Sequence, residues 1–479
     1  MKTHPMRKQS FAFNKPGLSL AVALLLAGCA VGPDYKSVLP QAPAQAAFIN
    51  GTAPALSSDA VPADWWKLYQ DPALDALVED ALKANTDLRV AAANMERAEA
   101  QWRESRVQLL PSTTVAASDT HSRQVVFLGT TPLSVQNTVY NVNLSIAYQV
   151  DLFGRVRRAI EAARADTDAV RVAYEATRIT VVAATVRSYA AACHSNRQLD
   201  IVQQNLTLQN KRLELTRQLL ASGRGTAMAV STISAQVAQT RALLPQVQAR
   251  RQATLYQLAA LLGLTPQQVP AAAIACNKAP MLASLVPVGD GAQLLRRRPD
   301  VLQAERTLAA STARVGIATA DLYPTVSLGA GIGTAARTSG DLFSSGSQIW
   351  NYGPAISWTF PNIVGTLARV REAKSTVDAA VARFDGTWLN ALRETETALD
   401  GYIKGLEQRA ALADVSTHST EAARLAQLRF DAGQLNYLDV LQAELAAADA
   451  RVNLVAGDAA VTALQVDLFL ALGGGWSGI

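Results

Sequence analysis

The chain contains two similar halves, related by an offset of about 210 residues. Ala221–Gly223 in the first half corresponds to Asp431–Gly433 in the second, and Leu262–Gly263 corresponds to Leu472–Gly473. Because an internal repeat encodes one structural unit twice, each half is predicted to contain the same order of helices and strands. The predicted boundaries are 63–275 for the first repeat, 276–298 for a linker near the equator of a tube, and 299–475 for the second repeat.

Most of each repeat is predicted to be helical. Hydrophobic residues make up 49% of the chain but aromatic residues only 6%, so the apolar content is largely of small side chains that favour helices. This composition excludes a disordered chain. No proline or glycine occurs between residues 155 and 221, which predicts one continuous helix.

Two apolar series run along this predicted helix. Leucines recur every seven residues from Leu199 to Leu220, and the series from Ile201 to Leu215 lies about 200° around the helix. Residues 438–468 repeat the arrangement. Seams on opposite sides are expected where a helix contacts one neighbour on each side, as in a closed tube of coiled helices. A slab-like helix bundle is the alternative.

Strand-like segments interrupt the helical pattern in each repeat. In residues 140–151, Val142, Leu144 and Ile146 alternate with small or polar residues, which is the period of a strand. Apolar, aromatic-rich faces opposite small, polar faces are typical of a transmembrane β-barrel; a soluble sandwich is the alternative. The predicted strands cover about 112–128, 138–152, 324–336 and 348–361.

The number of predicted strands bears on assembly. Four strands cannot close into a barrel, and we predict no transmembrane helix in the rest of the chain. Unpaired strand edges in lipid must be paired by other copies of the chain. Three copies supply 12 strands, so the sequence favours a homotrimer.

The N-terminus has the features of an export signal. Basic residues precede the apolar run Leu18–Ala27, and Leu26–Gly28 then leads into Cys29. We predict a lipoprotein signal peptide over 1–28, acylation of Cys29 and a lipidated tether over 29–62. An ordinary signal peptide with an incidental cysteine is the alternative. Removing four basic residues from a chain of net charge +5 leaves about +1, which argues against nucleic-acid binding.

Cysteines and catalytic motifs are scarce. Beyond Cys29, Cys193 and Cys276 can form one disulfide in an oxidising compartment, or they are two buried free thiols. No catalytic motif or metal-ligand cluster is present in the sequence, so we predict no enzymatic activity, no cofactor and no metal site. The charged run Arg296–Asp300 is interpreted as a solvated helix start; a structural ion pair to Glu305 or to a neighbouring helix is the alternative.

Two equivalent turns join the long predicted helices, at 221–226 and 431–436. They are expected at the end of the tube remote from the strands. In a threefold tube, Asp439 on the returning helix would form a ring of three acids and a narrow constriction. Helix capping or pairing with the helix dipole is the alternative role of Asp439.

Several motifs together resemble the outer-membrane factor family, the TolC-like exit ducts, and in particular its OprM/NodT-type lipoprotein branch. The matching segments are Leu26–Cys29 followed by Val31–Tyr35, Asp151–Gly154, Leu294–Asp300 with Ala304–Glu305, Tyr323–Pro324, and Phe430–Gly433 followed by Leu438–Leu441. The resemblance implies a mainly helical protomer with a transmembrane β-barrel portion, forming a trimeric 12-stranded barrel and a periplasmic α-barrel.

The resemblance also implies partners and sites. A periplasmic adaptor would contact the tips at Gly223, Thr226, Gly433 and Asn436, and the periplasmic gate would lie among Leu438, Asp439 and Gln442. The inner-membrane pump would be of the resistance-nodulation-division type. The expected function is a passive outer-membrane exit duct for drugs or other small molecules. A lipid-anchored periplasmic coiled-coil adaptor or scaffold is the alternative, but it does not account for the strands.

Overall fold

The computed structural model describes residues 30–37, 46–282, 284–360 and 363–475. The predicted signal peptide and the predicted lipidation site Cys29 lie outside the described residues.

The same order of elements occurs in both halves, as helix, two strands and two long helices. The helices are α1 (Pro72–Ala84), α2 (Thr86–Val107), α3 (Arg155–Ala221), α4 (Ala227–Leu261), α5 (Ala271–Ala275), α6 (Gly291–Arg297), α7 (Pro299–Ala320), α8 (Ile363–Asp431) and α9 (Tyr437–Ala471). The strands are β1 (Leu56–Ser57), β2 (Ser112–Leu128), β3 (Thr131–Val150), β4 (Val286–Pro287), β5 (Thr325–Ala336) and β6 (Gln348–Ser357).

Contacts divide the chain into two units, which are described separately. The first contains the segment ending at Ser37 together with Glu96–Asp168 and Glu305–Ala382, and the second contains the remaining described residues. The first unit holds the main sheet, and the second holds the largest apolar core.

The main sheet is antiparallel, in the order β2-β3-β5-β6. β3 begins at Thr131 rather than near residue 138, because its pairing with β2 continues to the Leu128–Thr131 pair around Gly129, whose φ is +64°. β6 ends at Ser357 rather than at 361, because its partner there, Thr325, is the first residue of β5.

The core of the second unit is built around Trp65, which stacks on Phe469 with ring centroids 4.5 Å apart. Residues assigned to the tether take part in this core. Phe48, Leu56 and Val61 are buried, and β1 pairs with β4. Residues 46–62 of the predicted tether are therefore folded rather than free in solution, because their few apolar side chains pack in the core.

Helix α9 differs from the expectation that no helix of the chain is apolar and long enough to span a membrane. It is long and apolar enough, by length and composition, to cross a membrane. Val461, Leu468 and Phe469 of α9 are nevertheless buried in the core of the second unit, as in a core helix of a folded domain.

Candidate functional site

One face of the main sheet is apolar across its width. Val115, Leu144, Ile332 and Trp350 are directly paired from strand to strand, and directly paired residues share a face. Val115 and Trp350 are 74% and 73% exposed. No described residue therefore covers this row, and such a large exposed apolar surface is typical of a face that contacts lipid or another chain.

The opposite face of the sheet is small and polar. Thr114, Ser145, Gly331 and Asn351 form the neighbouring row. A Cβ on Gly331 would lie 2.5 Å from the Asn351 Oδ1 atom, so a side chain at this position requires the Asn351 amide to move. The sheet thus separates an apolar surface from a hydrophilic one.

Aromatic side chains gather where the strands meet the helices. Phe153 stacks on Tyr323 with ring centroids 4.5 Å apart, and Trp358 stacks on Phe360 at 5.1 Å. The Trp358 Nε1–H donates to the Leu322 carbonyl oxygen at 3.2 Å. Amphipathic rings that keep one polar contact are typical of a membrane–water interface.

Residues 30–37, termed here the docked segment, lie directly on the helices of the first unit. Three glycines permit the close approach. A Cβ on Gly32 would lie 2.4 Å from the Gly316 Cα, and one on Gly154 would lie 2.6 Å from the Ala30 Cβ. The Val31 N–H also donates to the Phe153 carbonyl at 3.1 Å. The backbone after Cys29 is therefore held at the end of β3.

Arg158 anchors the docked segment to α3. Its side chain is only 6% exposed, and its guanidinium donates to the Val31 carbonyl at 3.2 Å and to the Asp34 carboxylate at 2.6 Å. The Glu161 carboxylate accepts a further bond at 2.8 Å. These charge-assisted bonds satisfy a cation that would otherwise be costly to bury.

Glu305 on α7 holds the other end of the docked segment. It accepts from Tyr35 Oη at 3.0 Å and from Ser37 Oγ at 2.7 Å. Burial opposes ionisation of Glu305, but the bonds from Ser37 and Tyr35 and the charge of Arg306 outweigh it and lower its pKa. Burial, followed by the negative charge of Glu305, raises the pKa of Tyr35 to about 12.

The two helix turns that follow α3 and α8 have the same geometry. Gly223 and Gly433 adopt φ of +76° and +72°, and the N–H groups of Arg224 and Gln434 donate to the carbonyls five residues earlier at 2.9 and 2.8 Å. This is the glycine-terminated helix end in which a left-handed residue satisfies the last carbonyls. A Cβ at either glycine would meet nothing within 4 Å, so the backbone angle alone requires glycine.

The helices that return from these turns are capped by the residues predicted at the tips. Thr226 Oγ1 accepts from the Ala229 N–H at 3.2 Å, and Asn436 Oδ1 accepts from the Asp439 N–H at 3.1 Å. Helix capping was one alternative role for Asp439, but the side chain that caps this helix is that of Asn436. The position of Asp439 in the first turn of α9 still favours a negative charge there.

A family model described as "Outer membrane efflux protein" matches residues 77–264 and 291–474. These two segments cover more than half of the chain, one in each half. The chain belongs to the outer membrane efflux protein family. This membership confirms the resemblance predicted from the motifs.

Relatives of this efflux protein align over nearly its whole length. The outer membrane protein OprJ of Pseudomonas aeruginosa is 31% identical over 98% of this chain and 97% of its own. The toluene efflux pump outer membrane protein TtgC of Pseudomonas putida is 31% identical over 96% and 95%.

Solved structures of outer-membrane channels agree with the fold. The channel OprN has a TM-score of 0.85 and 34% identity, covering 94% of this chain and 100% of its own. The open-state channel MtrE of Neisseria gonorrhoeae has a TM-score of 0.81 and 27% identity, covering 93% and 98%.

The efflux protein is an outer-membrane channel that acts as the exit duct of an efflux pump. The predicted function and outer-membrane location are confirmed by the family and by its relatives. Membership of a channel family also distinguishes the protein from a periplasmic scaffold and from an enzyme.

The predicted gate residues lie together on the first two turns of α9. Leu438 and Asp439 are half-buried and Gln442 is exposed, whereas the neighbouring Leu441 is buried. Leu441 packs against Leu213 and the other members of an apolar cluster. Leu438, Asp439 and Gln442 therefore remain wholly or partly accessible in the protomer, whereas Leu441 does not.

Sequence reasoning missed an ion pair close to the tip, between Arg212 on α3 and Glu444 on α9. Burial lowers the pKa of Arg212. The two residues are 232 positions apart and belong to no shared motif, so the sequence alone does not predict their pairing.

Cys193 and Cys276 form a disulfide in the structure, with Cα atoms 4.8 Å apart. The bond joins α3 to the segment after α5. The Asn196 amide on the next turn of α3 donates to the carbonyls of Ala273 and Ile274, both at 3.2 Å. These contacts hold the beginning of the predicted inter-repeat linker against α3.

The interpretation of Arg296–Asp300 as a solvated helix start is wrong for Arg298, which is buried. The Arg298 guanidinium donates to Asp300 at 2.6 Å, to Glu394 at 2.7 Å and to the Ala471 carbonyl at 3.1 Å. It therefore joins α7, α8 and the end of α9. Arg296 is exposed, as predicted for the whole run.

Within the described part of the chain, no group of three or more His, Cys, Asp or Glu side chains is placed to hold a metal ion.

Proposed function

We propose that three copies of the chain close a 12-stranded β-barrel in the outer membrane, continuous with a periplasmic tube of helices. Small molecules delivered by an inner-membrane pump pass through the tube without chemical change. The main support is the four-stranded sheet, which has one exposed apolar face. Its outer strands β2 and β6 have no further strand partner in the described residues. Strand edges in lipid must be paired, and neighbouring copies supply equivalent edges.

The helices support the same assembly. Leu213 belongs to a buried cluster, whereas Leu208 and Leu215 of the second series are 46% and 47% exposed. Ile201 of the second series is buried, so only the part of this series around Leu208 and Leu215 is exposed and suited to contact a neighbouring copy.

We propose that residues 1–28 are removed as a lipoprotein signal peptide and that Cys29 is acylated. The docked segment supports this assignment, because it holds Ala30 against Gly154 at the end of β3, beside the aromatic group. An acyl chain attached one residue earlier would start at the level of the membrane interface. Acylation would add a hydrophobic anchor to the barrel.

The proposed adaptor contacts are the tip residues Gly223, Thr226, Gly433 and Asn436. The proposed gate comprises Leu438, Asp439 and Gln442, with three Asp439 side chains forming a negative ring. The proposed partners are a periplasmic adaptor and a pump of the resistance-nodulation-division type. Toluene and antibiotics, named in the pumps of relatives, are the first cargo to test.

The assembly is tested by the detergent-corrected mass of the full protein extracted from outer membranes. Three chains per particle are expected. A monomer that stays soluble without detergent after enzymatic removal of the lipid would contradict the membrane barrel. Mass spectrometry of the N-terminal peptide tests acylation separately, with Cys29→Ser as the unmodified control.

A further inference from the structure

A cavity of about 280 Å³ lies in the second unit, beside the disulfide-linked segment. Three elements form it. Helix α3 contributes Arg197 and helix α9 contributes Arg451, while the segment after Cys276 contributes Lys278 and Met281. The cavity is near the lower end of ligand-site volumes, about 300 Å³, so it suits one small ligand rather than a drug-sized one.

The rim of the cavity is positively charged. Arg197, Lys278 and Arg451 come from three different elements, and none forms an ion pair with an acid of the described chain. The carboxylate of Asp458, which also lines the cavity, is paired with Arg409 at 2.6 Å. Among the described residues, the rim therefore has three cations that form no ion pair, and the one acid in the lining is paired with Arg409.

His194 adds no further charge near neutral pH. Burial lowers its pKa, which a nearby negative charge on Asp458 only partly offsets. Its Nε2 lies 3.2 Å from Thr462 Oγ1. The positive character of the cavity is thus due to the three longer side chains.

The floor of the cavity is apolar. Ile201 on α3 is buried, and Leu454 and Val455 on α9 are half-buried. The wall formed by Asn277–Met281 begins directly after the Cys193–Cys276 disulfide. Cationic groups above an aliphatic floor match a ligand with an anionic head and a short hydrocarbon tail.

We propose that this cavity binds a small aliphatic carboxylate. The carboxylate accepts hydrogen bonds from Arg197, Lys278 and Arg451, and the hydrocarbon part lies on Ile201 and Leu454. None of the residues that line the cavity belongs to the main sheet or to the predicted tips and gate, so the proposed binding uses residues other than those assigned to conduction.

Methionine methyl NMR provides a direct test, because Met281 lines the cavity while Met95 and Met228 do not. The full protein labelled with ¹³C-methyl methionine is titrated in detergent with hexanoate, hexanol, hexylamine and inorganic phosphate. Hexanoate is expected to shift the Met281 signal in a saturable manner and to leave the signals of Met95 and Met228 unchanged.

The double variant Arg197→Gln/Arg451→Gln is expected to weaken hexanoate binding at least about tenfold, since each charge-assisted hydrogen bond can contribute that factor. Arg241→Gln, on an exposed face of α4, is the matched control and retains wild-type binding. An equal Met281 shift with hexanol shows only partition into an apolar gap and overturns the proposal. The absence of a shift with hexanoate, or equal binding by phosphate, also overturns it.

Discussion

The Cα of Gly316 lies 2.4 Å from the position that a Cβ on Gly32 would occupy. Gly32 also adopts a φ of +93°, so a side chain at this position meets both backbone strain and a backbone clash. Two glycines from distant parts of the sequence therefore permit the docked segment to lie on α7. This contact explains why a glycine follows Val31.

Gly32→Ala is expected to detach the docked segment. Trypsin should then cut after the exposed Lys36 several-fold faster than in the wild-type protein, because cleavage requires the segment to leave the helices. The cleavage rate is measured by mass spectrometry of the released N-terminal peptide. Gly340→Ala is the control, because its Cβ would meet nothing within 4 Å. Equal rates in wild type and Gly32→Ala would contradict the docking role.

Docking of this segment should depend on pH through Glu305, whose pKa is lowered in the folded protein. A lowered carboxyl pKa stabilises the docked state above the ordinary Glu value of about 4.3. That contribution is lost as pH falls through the lowered folded value. Hydrogen–deuterium exchange of residues 30–37 should therefore increase at acidic pH beyond the intrinsic rate change. Glu305→Gln should show fast exchange already at neutral pH and little further pH response.

Arg298→Gln is expected to reduce the free energy of unfolding by about 2–3 kcal/mol. The variant leaves the acids Asp300 and Glu394 without their shared cation, although both are partly exposed, which limits the loss. Thermal denaturation followed by circular dichroism measures the effect. The neighbouring Arg296→Gln should be nearly neutral, because Arg296 is exposed. Equal destabilisation by both variants would exclude a specific role for Arg298.

Cys193→Ser/Cys276→Ser is expected to lower stability by about 2–4 kcal/mol, because the disulfide closes a loop across a separation of 83 residues. Thiol alkylation followed by non-reducing mass spectrometry should find neither cysteine modified in the wild-type protein. Detection of two alkylated thiols in folded protein would show that the bond does not form in the cell.

Asp439→Ala tests the gate. Resting permeability to a large antibiotic should increase if three Asp439 side chains constrict the tip. The helix start should persist, because the Asn436 side chain caps it. Ala229, which occupies the equivalent position in the first repeat, provides a matched control as Ala229→Ser. Unchanged permeability in a normally assembled trimer would assign Asp439 to the helix dipole alone.

Local patterns in the sequence predicted much of the architecture. The alternation around Leu144 identified a strand and its apolar face, and the register of β3 with β5 places Ile332 on that face. The lack of proline and glycine before Ala221 predicted α3, and Gly223 marked its end. These features depend on side-chain periodicity and backbone angles over a few consecutive residues, so they can be predicted from the sequence.

The ends of the strands and the burial of charged side chains depend on contacts between residues that are far apart in the sequence. The extent of β3 depends on its partner strand, and the burial of Arg298 depends on Glu394 and on the end of α9. The contact between Gly32 and Gly316 likewise joins residues far apart in the chain. Repeat, periodicity and helix ends were thus determined by the sequence alone. The pairing of distant residues was decided by tertiary packing, because only the folded chain specifies which surfaces exclude water together.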